Sequence, residues 1–408
     1  LGHGRGVERL DDARARTLLT SLQARVEFLQ ARGAAYLVIA PPVQEAIYPE
    51  FGPSWFRLDP TRSSRALSDL AQQALPGRVL HLEPAVSAAK AAGVATFSRH
   101  DTHWTGDGAY AGYVAIMRAL RAQGLQQQTR PLSDFWPNID DPKRPRDLAR
   151  MIGVASFVPI RYRAYRNPAA AQWRTTWLGN GRRDFTAPQV IDTGATGKPV
   201  LLMQRDSFSN ALLPFLAGHF SRVVLTHIDD GVWRPDLVEQ FRPDFVILEV
   251  QEAGLAAVLG PSPPPAQASY PAIEAALVEA RSLRPAREAD RLTLDDASKA
   301  RGCAIDLAVL EGEDLHLVGW ISDLRVEPSY RRAAVRLRGP GGDFVQQATV
   351  DRPRPDLNQV FRRPVGQPSG FDLRLPASRV TPGVYGLTVY RATQRGWMAC
   401  DGPEVRIN

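Results

Sequence analysis

The hydrophobic positions in the first two-thirds of the chain follow two different periods. Residues 7–32 carry apolar side chains at helical spacing, and the next apolar run, residues 35–40, is short, continuous and closed by two prolines. Such a run predicts a buried parallel strand, which is apolar on both faces. Helical stretches separate several similar runs, at residues 79–82, 199–203, 223–226 and 245–248. The pattern predicts an α/β domain with a mainly parallel central sheet.

The pattern changes after about residue 260. The proline-rich segment 261–265 predicts a linker, and a helical stretch follows at residues 272–283. From residue 315 onward apolar and polar positions alternate in short runs separated by glycine and proline turns, which is typical of a β-sandwich. We therefore predict three parts: an α/β domain at 1–260, a linker and helical connector at 261–300, and an all-β sandwich domain at 301–408.

Composition and charge narrow the class of protein. The 408 residues are 44% hydrophobic and 23% charged, which is typical of a globular chain long enough for two domains. The net charge of +7 comes from scattered arginines with small clusters at 143–146 and 330–332, and no nucleic-acid-binding module accompanies them. A mild positive field could attract an anionic glycan, but a solvated arginine-rich surface is the preferred explanation of the charge.

The start of the chain bears on where the protein acts. No apolar run reaches the roughly 18 residues that a membrane span requires, so no membrane span is predicted. The sequence begins at Leu1 without an initiator methionine. We therefore expect that an upstream signal or membrane anchor was removed.

The two cysteines, Cys303 and Cys400, are too few for a thiolate zinc site. They lie near the two ends of the C-terminal region. In an oxidising compartment they could join the first and last strands of one domain. Two buried free thiols are the alternative, and the sequence leaves both open.

Two polar segments adjoin predicted helices. Asp101-Thr-His103-Trp leads into a helix that begins near Gly106, and Arg205-Asp-Ser207-Phe-Ser follows the strand at 199–203 and opens a helix predicted to begin at Ser207. An aspartate can hold a histidine in the tautomer that accepts a serine proton. A serine at the carboxyl end of a parallel strand lies where open α/β sheets bind ligands. Taken singly, each segment is explained as well by helix capping.

Together the two segments resemble the alginate O-acetyltransferase family (AlgX/AlgJ-like). The Asp-x-His-Trp signature of that family is similar to residues 101–104, and its Asp-Ser-Phe block is similar to residues 206–208. Lesser similarities occur at 38–50, 147–150 and 242–249, so that the resemblance covers roughly residues 20–258.

The resemblance implies an SGNH-hydrolase-like fold with Ser207 as nucleophile, His103 as general base and Asp101 as orienting acid. Asp206 would hold the nucleophile turn. Four further side chains are expected to contact substrate, namely Trp104, Arg205, Asn210 and Tyr48, and Asn210 is also a candidate oxyanion donor. The strand-poor stretch 130–183 is expected to form a loop over the site.

The implied activity is O-acetylation of an exopolysaccharide through an acetyl-serine intermediate. It needs an acetyl donor, and no metal or other cofactor is expected. Two alternatives stay open: a carbohydrate acetyl esterase with the same triad, and a non-catalytic polysaccharide-binding or secretion scaffold. The β-sandwich would then bind carbohydrate or dock assembly proteins. No nucleic-acid partner is expected, and the resemblance implies a periplasmic or otherwise exported protein.

Overall fold

The computed structural model describes residues 3–4, 10–54, 56–139, 147–158, 162–179, 181–260, 270–324, 330–393 and 396–408. The predicted linker at 261–265 and the basic cluster at 143–146 lie outside the described residues. The predicted domain boundaries at residues 260 and 300 therefore remain predictions. Within the described ranges, no helix combines the length and apolar character needed to cross a membrane.

The N-terminal region alternates helices and strands. In chain order these are α1 (Asp12–Gln30), β1 (Ala35–Ala40), α2 (Gln44–Ile47), α3 (Ser63–Ala74), β2 (Val79–His81), α4 (Glu83–Ala91), α5 (Gly106–Ala122), β3 (Trp136–Ile139), α6 (Asp147–Met151), β4 (Arg163–Arg166), β5 (Arg174–Trp177), β6 (Gln189–Asp192), β7 (Val200–Arg205), α7 (Ser209–Leu216), β8 (Arg222–His227), α8 (Pro235–Phe241), β9 (Phe245–Glu249) and α9 (Leu255–Leu259).

A seven-stranded sheet with the order β2-β1-β9-β7-β8-β6-β5 forms the centre of this region. The first five strands in that order pair in parallel, and each corresponds to one of the five apolar runs in the sequence. The prediction of a mainly parallel sheet is therefore confirmed. Strands β6 and β5 add to one edge in antiparallel orientation. The sequence pattern missed β5 because its first three residues are exposed to solvent.

Helices cover both faces of the sheet. Helices α1, α3, α8 and α9 pack on the face to which Leu202 points. Helices α4, α5 and α7 pack on the other face, to which Met203 points. Neighbouring residues of a strand point to opposite faces, so each central strand contributes to both cores. This double coverage explains why the strands are apolar throughout.

The C-terminal region is mainly β-structure. It consists of α10 (Pro271–Arg281), β10 (Arg284–Pro285), α11 (Glu288–Asp295), β11 (Ser298–Lys299), β12 (Gly302–Glu311), β13 (Asp314–Ser322), β14 (Arg332–Gly339), β15 (Gly342–Thr349), α12 (Asp356–Val360), β16 (Gly370–Pro376), β17 (Gly383–Thr393) and β18 (Gly396–Ile407). Helix α10 packs through Ile273 and Leu277 into the core of the N-terminal region.

The strands of this region form two sheets, with the orders β10-β15-β14-β17-β18-β11 and β12-β13-β16. Apart from the parallel pair β11 and β18, the described neighbours pair in antiparallel orientation. Leu317 of the smaller sheet and Val335 of the larger one belong to the same apolar core. The predicted change to antiparallel β-structure is confirmed, whereas the finer assignment as a β-sandwich stays a prediction.

A disulfide joins Cys303 on β12 to Cys400 on β18, with the two Cα atoms 6.0 Å apart. The bond therefore links the smaller sheet to the larger one. Of the two alternatives that the sequence left open, the bonded pair is confirmed.

We predict that replacing both cysteines by alanine lowers the free energy of unfolding of the C-terminal region by about 2–5 kcal/mol, because the cross-link closes a long loop in the unfolded chain. The loop spans 97 residues. Urea unfolding measures the change. Reduced wild-type protein is the control, and it should unfold at a similarly lowered urea concentration. Equal midpoints for the oxidised and cysteine-free proteins would contradict the prediction.

Candidate active site

Ser207 lies in the turn between β7 and α7, at the carboxyl edge of the central sheet. The helix begins at Ser209, two residues later than predicted. The reason is local: the Asp206 carboxylate accepts the Phe208 N–H at 2.8 Å, and the Asn210 N–H donates to the Ser207 carbonyl at 3.2 Å. These bonds close a tight turn that exposes the serine hydroxyl ahead of the first helical residue.

His103 lies in the loop that leads into α5. The Asp101 carboxylate accepts the backbone N–H of His103 at 3.0 Å and bonds to its Nδ1 at 2.6 Å. Thr105 caps the helix by accepting the Gly108 N–H at 3.0 Å. The helix begins at Gly106, as predicted.

The predicted contact between the two segments is present. His103 Nε2 lies 2.7 Å from Ser207 Oγ, and the histidine ring lies 5.0 Å from the ring of Phe208. Because the Asp101 carboxylate can only accept, its bond places the proton on Nδ1. Nε2 is then the nitrogen that can accept the proton of Ser207. The arrangement can therefore perform nucleophilic acyl transfer.

Asp206 and Trp104 hold the nucleophile turn without facing the hydroxyl. The second oxygen of Asp206 accepts the N–H of Gln251, after β9, at 2.7 Å. Trp104 donates its indole N–H to the Phe208 carbonyl at 3.0 Å. The turn is thus anchored to the neighbouring strand and to the His103 loop. The Asp206 contacts agree with the structural role predicted for it.

A second acid, Glu249, lies beneath this turn. It is fully buried, and its Oε2 accepts the N–H of Asp206 at 3.0 Å. Burial raises the pKa of Glu249 well above its usual range, and the negative charge of Asp206 raises it further. Glu249 therefore holds its proton more tightly than an ordinary carboxyl group does, while two N–H donors stabilise the Asp206 carboxylate.

Arg205 is predicted from the sequence to contact substrate, but its side chain lies inside the protein. It is 1% exposed and donates to Ser209, Asn210 and the Phe185 carbonyl. As the sixth residue of β7, its side chain points into a helix-covered face of the sheet, and burial lowers its pKa. Its bond to Asn210 Oδ1 is 2.7 Å long. Because arginine can only donate, this bond identifies the other end of Asn210 as the NH₂ group.

The two aromatic predictions have different outcomes. Trp104 touches the cavity but is only 3% exposed, because it packs beneath Phe208. It is not an exposed platform for a sugar ring. The Tyr48 hydroxyl accepts the Thr96 N–H at 3.1 Å, and Lys90 lies over the Tyr48 ring. Tyr48 thus packs beside the loop before α5 and does not line the cavity.

A cavity of about 90 Å³ opens at Ser207 and His103. A cavity needs roughly 10–15 Å³ to hold one water molecule, so this cavity has room for an acetyl group and a few waters. It is lined by Asp101, His103, Trp104, Gly106, Tyr162, Arg163, Ala164, Tyr165, Ser207, Phe208, Asn210, Ala211 and Pro214.

The stretch 130–183 contributes one wall of this cavity through β4 and the residue before it, in agreement with the prediction of a covering segment. It is not a plain loop, since it contains β3, β4 and β5. A Cβ atom added at Gly106 would lie 2.6 Å from the Arg163 carbonyl, so a glycine is needed where α5 meets β4. The sequence analysis missed Tyr162 and Arg163, because neither belongs to a recognised motif.

The described residues contain two groups of acids and histidines that are close enough to hold a cation. In the first, His81, Glu83 and Glu252 surround Arg62, which is 1% exposed and pairs with both carboxylates. The guanidinium therefore supplies the positive charge. Burial alone would raise the pKa of Glu252, but hydrogen bonds from His3 and His81 and the charge of Arg62 lower it.

The second group consists of Asp101, His103 and Asp147. Asp147 Oδ2 lies 3.4 Å from His103 Nδ1. The Nδ1 proton bonds to Asp101, and the cationic partner of Asp147 is Arg150, which lies 3.5 Å from its other oxygen. The sequence analysis had noted residues 147–150 only as a family-like segment and had not assigned Asp147 to the site.

Comparison with known families identifies the N-terminal region. The family described as "SGNH hydrolase-like domain, acetyltransferase AlgX" matches residues 3–232, which is more than half of the chain. The chain belongs to this AlgX acetyltransferase family. The match includes Asp101, His103 and Ser207. The family resemblance drawn from the sequence and the SGNH-like fold are thereby confirmed.

Several solved structures are similar to this member of the AlgX family. PatB1 of Bacillus cereus with a sulfonyl adduct has 14% identity and a TM-score of 0.49, covering 62% of this chain and 91% of that chain. The O-acetyltransferase domain of Pseudomonas putida AlgJ has 19% identity and a TM-score of 0.37, covering 60% and 84%. At these scores the assignment rests on the family match. No curated protein matches the chain.

The buried acid pair generates a prediction about pH. The native state keeps the Glu249 proton that the unfolded chain releases above about pH 4.5. The stability that Glu249 contributes is therefore complete below that pH and is lost as the pH rises toward its raised pKa. Glu249→Gln has no such loss, so its free energy of unfolding should improve relative to wild type between about pH 4.5 and neutral pH.

Urea unfolding of both proteins across this range measures the difference. Glu239→Gln, which removes an exposed carboxylate paired with Arg32, is the control. This variant should show no comparable gain across the range, because the exposed Glu239 side chain stays hydrated in the folded protein. A pH-independent difference for Glu249→Gln would mean that Glu249 is ionised in the folded protein.

Proposed function

We propose that this protein is a polysaccharide O-acetyltransferase that works through an acetyl-Ser207 intermediate. One observation carries the proposal: in a chain of an acetyltransferase family, His103 lies 2.7 Å from Ser207 Oγ and 2.6 Å from Asp101. Ser207 is the nucleophile, His103 is the general base, and Asp101 orients the imidazole. The target is an exopolysaccharide.

In the first step Ser207 Oγ attacks the carbonyl carbon of the acetyl donor, and its proton moves to His103 Nε2. The Asp101 carboxylate stabilises the imidazolium that forms. The C–O bond to the donor then breaks, and the leaving group takes the proton from His103. The acetyl group remains on Ser207, and the donor is the only co-reactant.

In the second step a sugar hydroxyl gives its proton to His103 and attacks the acetyl-serine. The C–O bond to Ser207 then breaks, and His103 returns the proton to the Ser207 oxygen. Negative charge develops on the acetyl oxygen in both steps. The NH₂ group of Asn210 is the side-chain donor proposed to stabilise it, since Arg205 holds the oxygen end of that amide.

The cavity size supports an acceptor that remains largely outside. About 90 Å³ accommodates an acetyl group but not several sugar rings, so the polysaccharide would lie along the rim formed by Tyr162 and Arg163. An acetyl esterase with the same residues is the second candidate. The 27% exposure of the His103 side chain favours it, because water can also reach the base.

The remaining assignments follow the same proposal. An exopolysaccharide-modifying enzyme would act in the periplasm or outside the cell. The disulfide between Cys303 and Cys400 suits an oxidising compartment. We propose that the C-terminal β-region binds the polysaccharide chain or docks polysaccharide-assembly proteins.

Substitutions at the triad test the proposed mechanism. Ser207→Ala should lower hydrolysis of a chromogenic acetyl ester by roughly 10³-fold or more, and His103→Ala should cost a comparable factor because the two act as one unit. Asp101→Ala should be milder. Ser221→Ala, at the opposite end of the sheet, is the matched control and should keep full activity.

The outcomes separate the alternatives. Full activity in Ser207→Ala would place the nucleophile elsewhere. If the folded wild-type protein does not hydrolyse fresh ester substrate, the non-catalytic scaffold function is favoured. Circular dichroism of each variant confirms that its fold is intact.

A second experiment distinguishes transfer from hydrolysis. The wild type is given the acetyl ester with and without oligosaccharide acceptors, and products are followed by mass spectrometry. A transferase should place acetyl groups on the sugar and lower the yield of free acetate. Intact mass of the rapidly quenched protein should include one added acetyl group, absent in Ser207→Ala. Acetate as the sole product with every acceptor tried would favour the esterase.

A further inference from the structure

A second carboxylate lies beside the base. Asp147 Oδ2 is 3.4 Å from His103 Nδ1, on the side of the ring that also faces Asp101. The Asp101 side chain is 9% exposed, whereas that of Asp147 is 35% exposed. The imidazole is therefore flanked by one buried and one half-buried acid.

Two contacts hold Asp147 in this position. Thr102, between the two predicted triad residues, donates its hydroxyl to Asp147 Oδ2 at 3.0 Å. The Ala149 N–H donates to the His100 carbonyl at 3.2 Å. Helix α6, which begins at Asp147, is thus hydrogen-bonded to the loop that carries His103 at two positions, His100 and Thr102.

The local charges fit a role in stabilising the imidazolium. Nδ1 carries one proton, which Asp101 accepts at 2.6 Å, so Asp147 at 3.4 Å contributes mainly through its charge. Arg150 lies 3.5 Å from the other oxygen of Asp147, which keeps Oδ2 directed toward His103. If Asp101 were absent, the nearest carboxylate oxygen for the Nδ1 proton would be that of Asp147.

We propose that Asp147 is a positioning residue for His103, stabilising its cationic form and taking over the Nδ1 proton when Asp101 is removed. This inference rests on the proposed function, because it concerns the same base. It adds a fourth side chain, from a segment outside the two motifs, to the Asp101-His103-Ser207 chain.

A double-mutant cycle tests the inference by steady-state hydrolysis of the acetyl ester. Asp147→Asn should lower kcat by roughly 3–10-fold with KM unchanged, because the substrate does not touch Asp147. In the Asp101→Ala background the same change should cost far more than it does alone, since the second acceptor is then lost. The double variant should approach the activity of His103→Ala.

Two further variants separate charge from structure. Asp147→Glu keeps the carboxylate and should recover most of the lost kcat. Asp69→Asn removes another helix carboxylate that is paired with an arginine, Arg65 on α3, and that is more exposed than Asp147. It should leave kcat unchanged. If Asp147→Asn does not fold, Thr102→Val replaces it in the cycle, because it removes the bond that holds Asp147.

The results distinguish the two proposals. The role of Asp147 would be overturned if the kcat losses of Asp101→Ala and Asp147→Asn simply multiply in the double variant. It would also be overturned if Asp147→Glu lowers kcat as much as Asp147→Asn. Either result would leave the triad intact. Ester hydrolysis that persists unchanged in Ser207→Ala would instead overturn the proposed function. A cycle with a coupling of roughly tenfold or more, together with rescue by Glu, is the expected result.

Discussion

The hydrogen bond between His103 and Ser207 joins two segments that are 104 residues apart in the chain. Such a contact survives only if both segments are held independently. Asp101 fixes the imidazole from one side, while Asp206 and Trp104 fix the serine turn from below. The central sheet supplies the frame, because β7 and β9 end at the same edge and Gln251 binds Asp206 across them. The geometry of the site thus depends on strand order as much as on the motif residues.

The polar groups beneath that edge are balanced pairwise rather than exposed to water. Two backbone N–H groups donate to the Asp206 carboxylate, whereas burial raises the pKa of Glu249 beside it. A short distance away, Arg62 neutralises the carboxylate of Glu252. A buried charge without such a partner would cost several kcal/mol. These contacts offset part of the cost of placing several acids near the nucleophile.

Three side chains that were predicted to contact substrate support the backbone of the site. Arg205, Trp104 and Tyr48 all lie in or next to segments that resemble the family, and all three were expected to contact substrate. In the structure the first two are buried and the third packs against Thr96. Their hydrogen bonds and packing hold the backbone segments of the site in place. Trp104 also lines part of the cavity, and another wall comes from β4 and the residue before it, in a segment without a recognisable motif.

The sequence by itself determined the five parallel strands, because a strand covered on both faces must be continuously apolar and such runs are visible without any partner. The nucleophile, base and acid candidates followed from the resemblance of residues 101–104 and 206–208 to the motifs of one family, because each segment alone is explained by helix capping. Only the tertiary structure decided which way each neighbouring side chain points, that Cys303 meets Cys400, and that Asp147 reaches His103 from a segment 44 positions further along. Those facts depend on how distant segments pack against one another, and a one-dimensional pattern does not contain the distances between them.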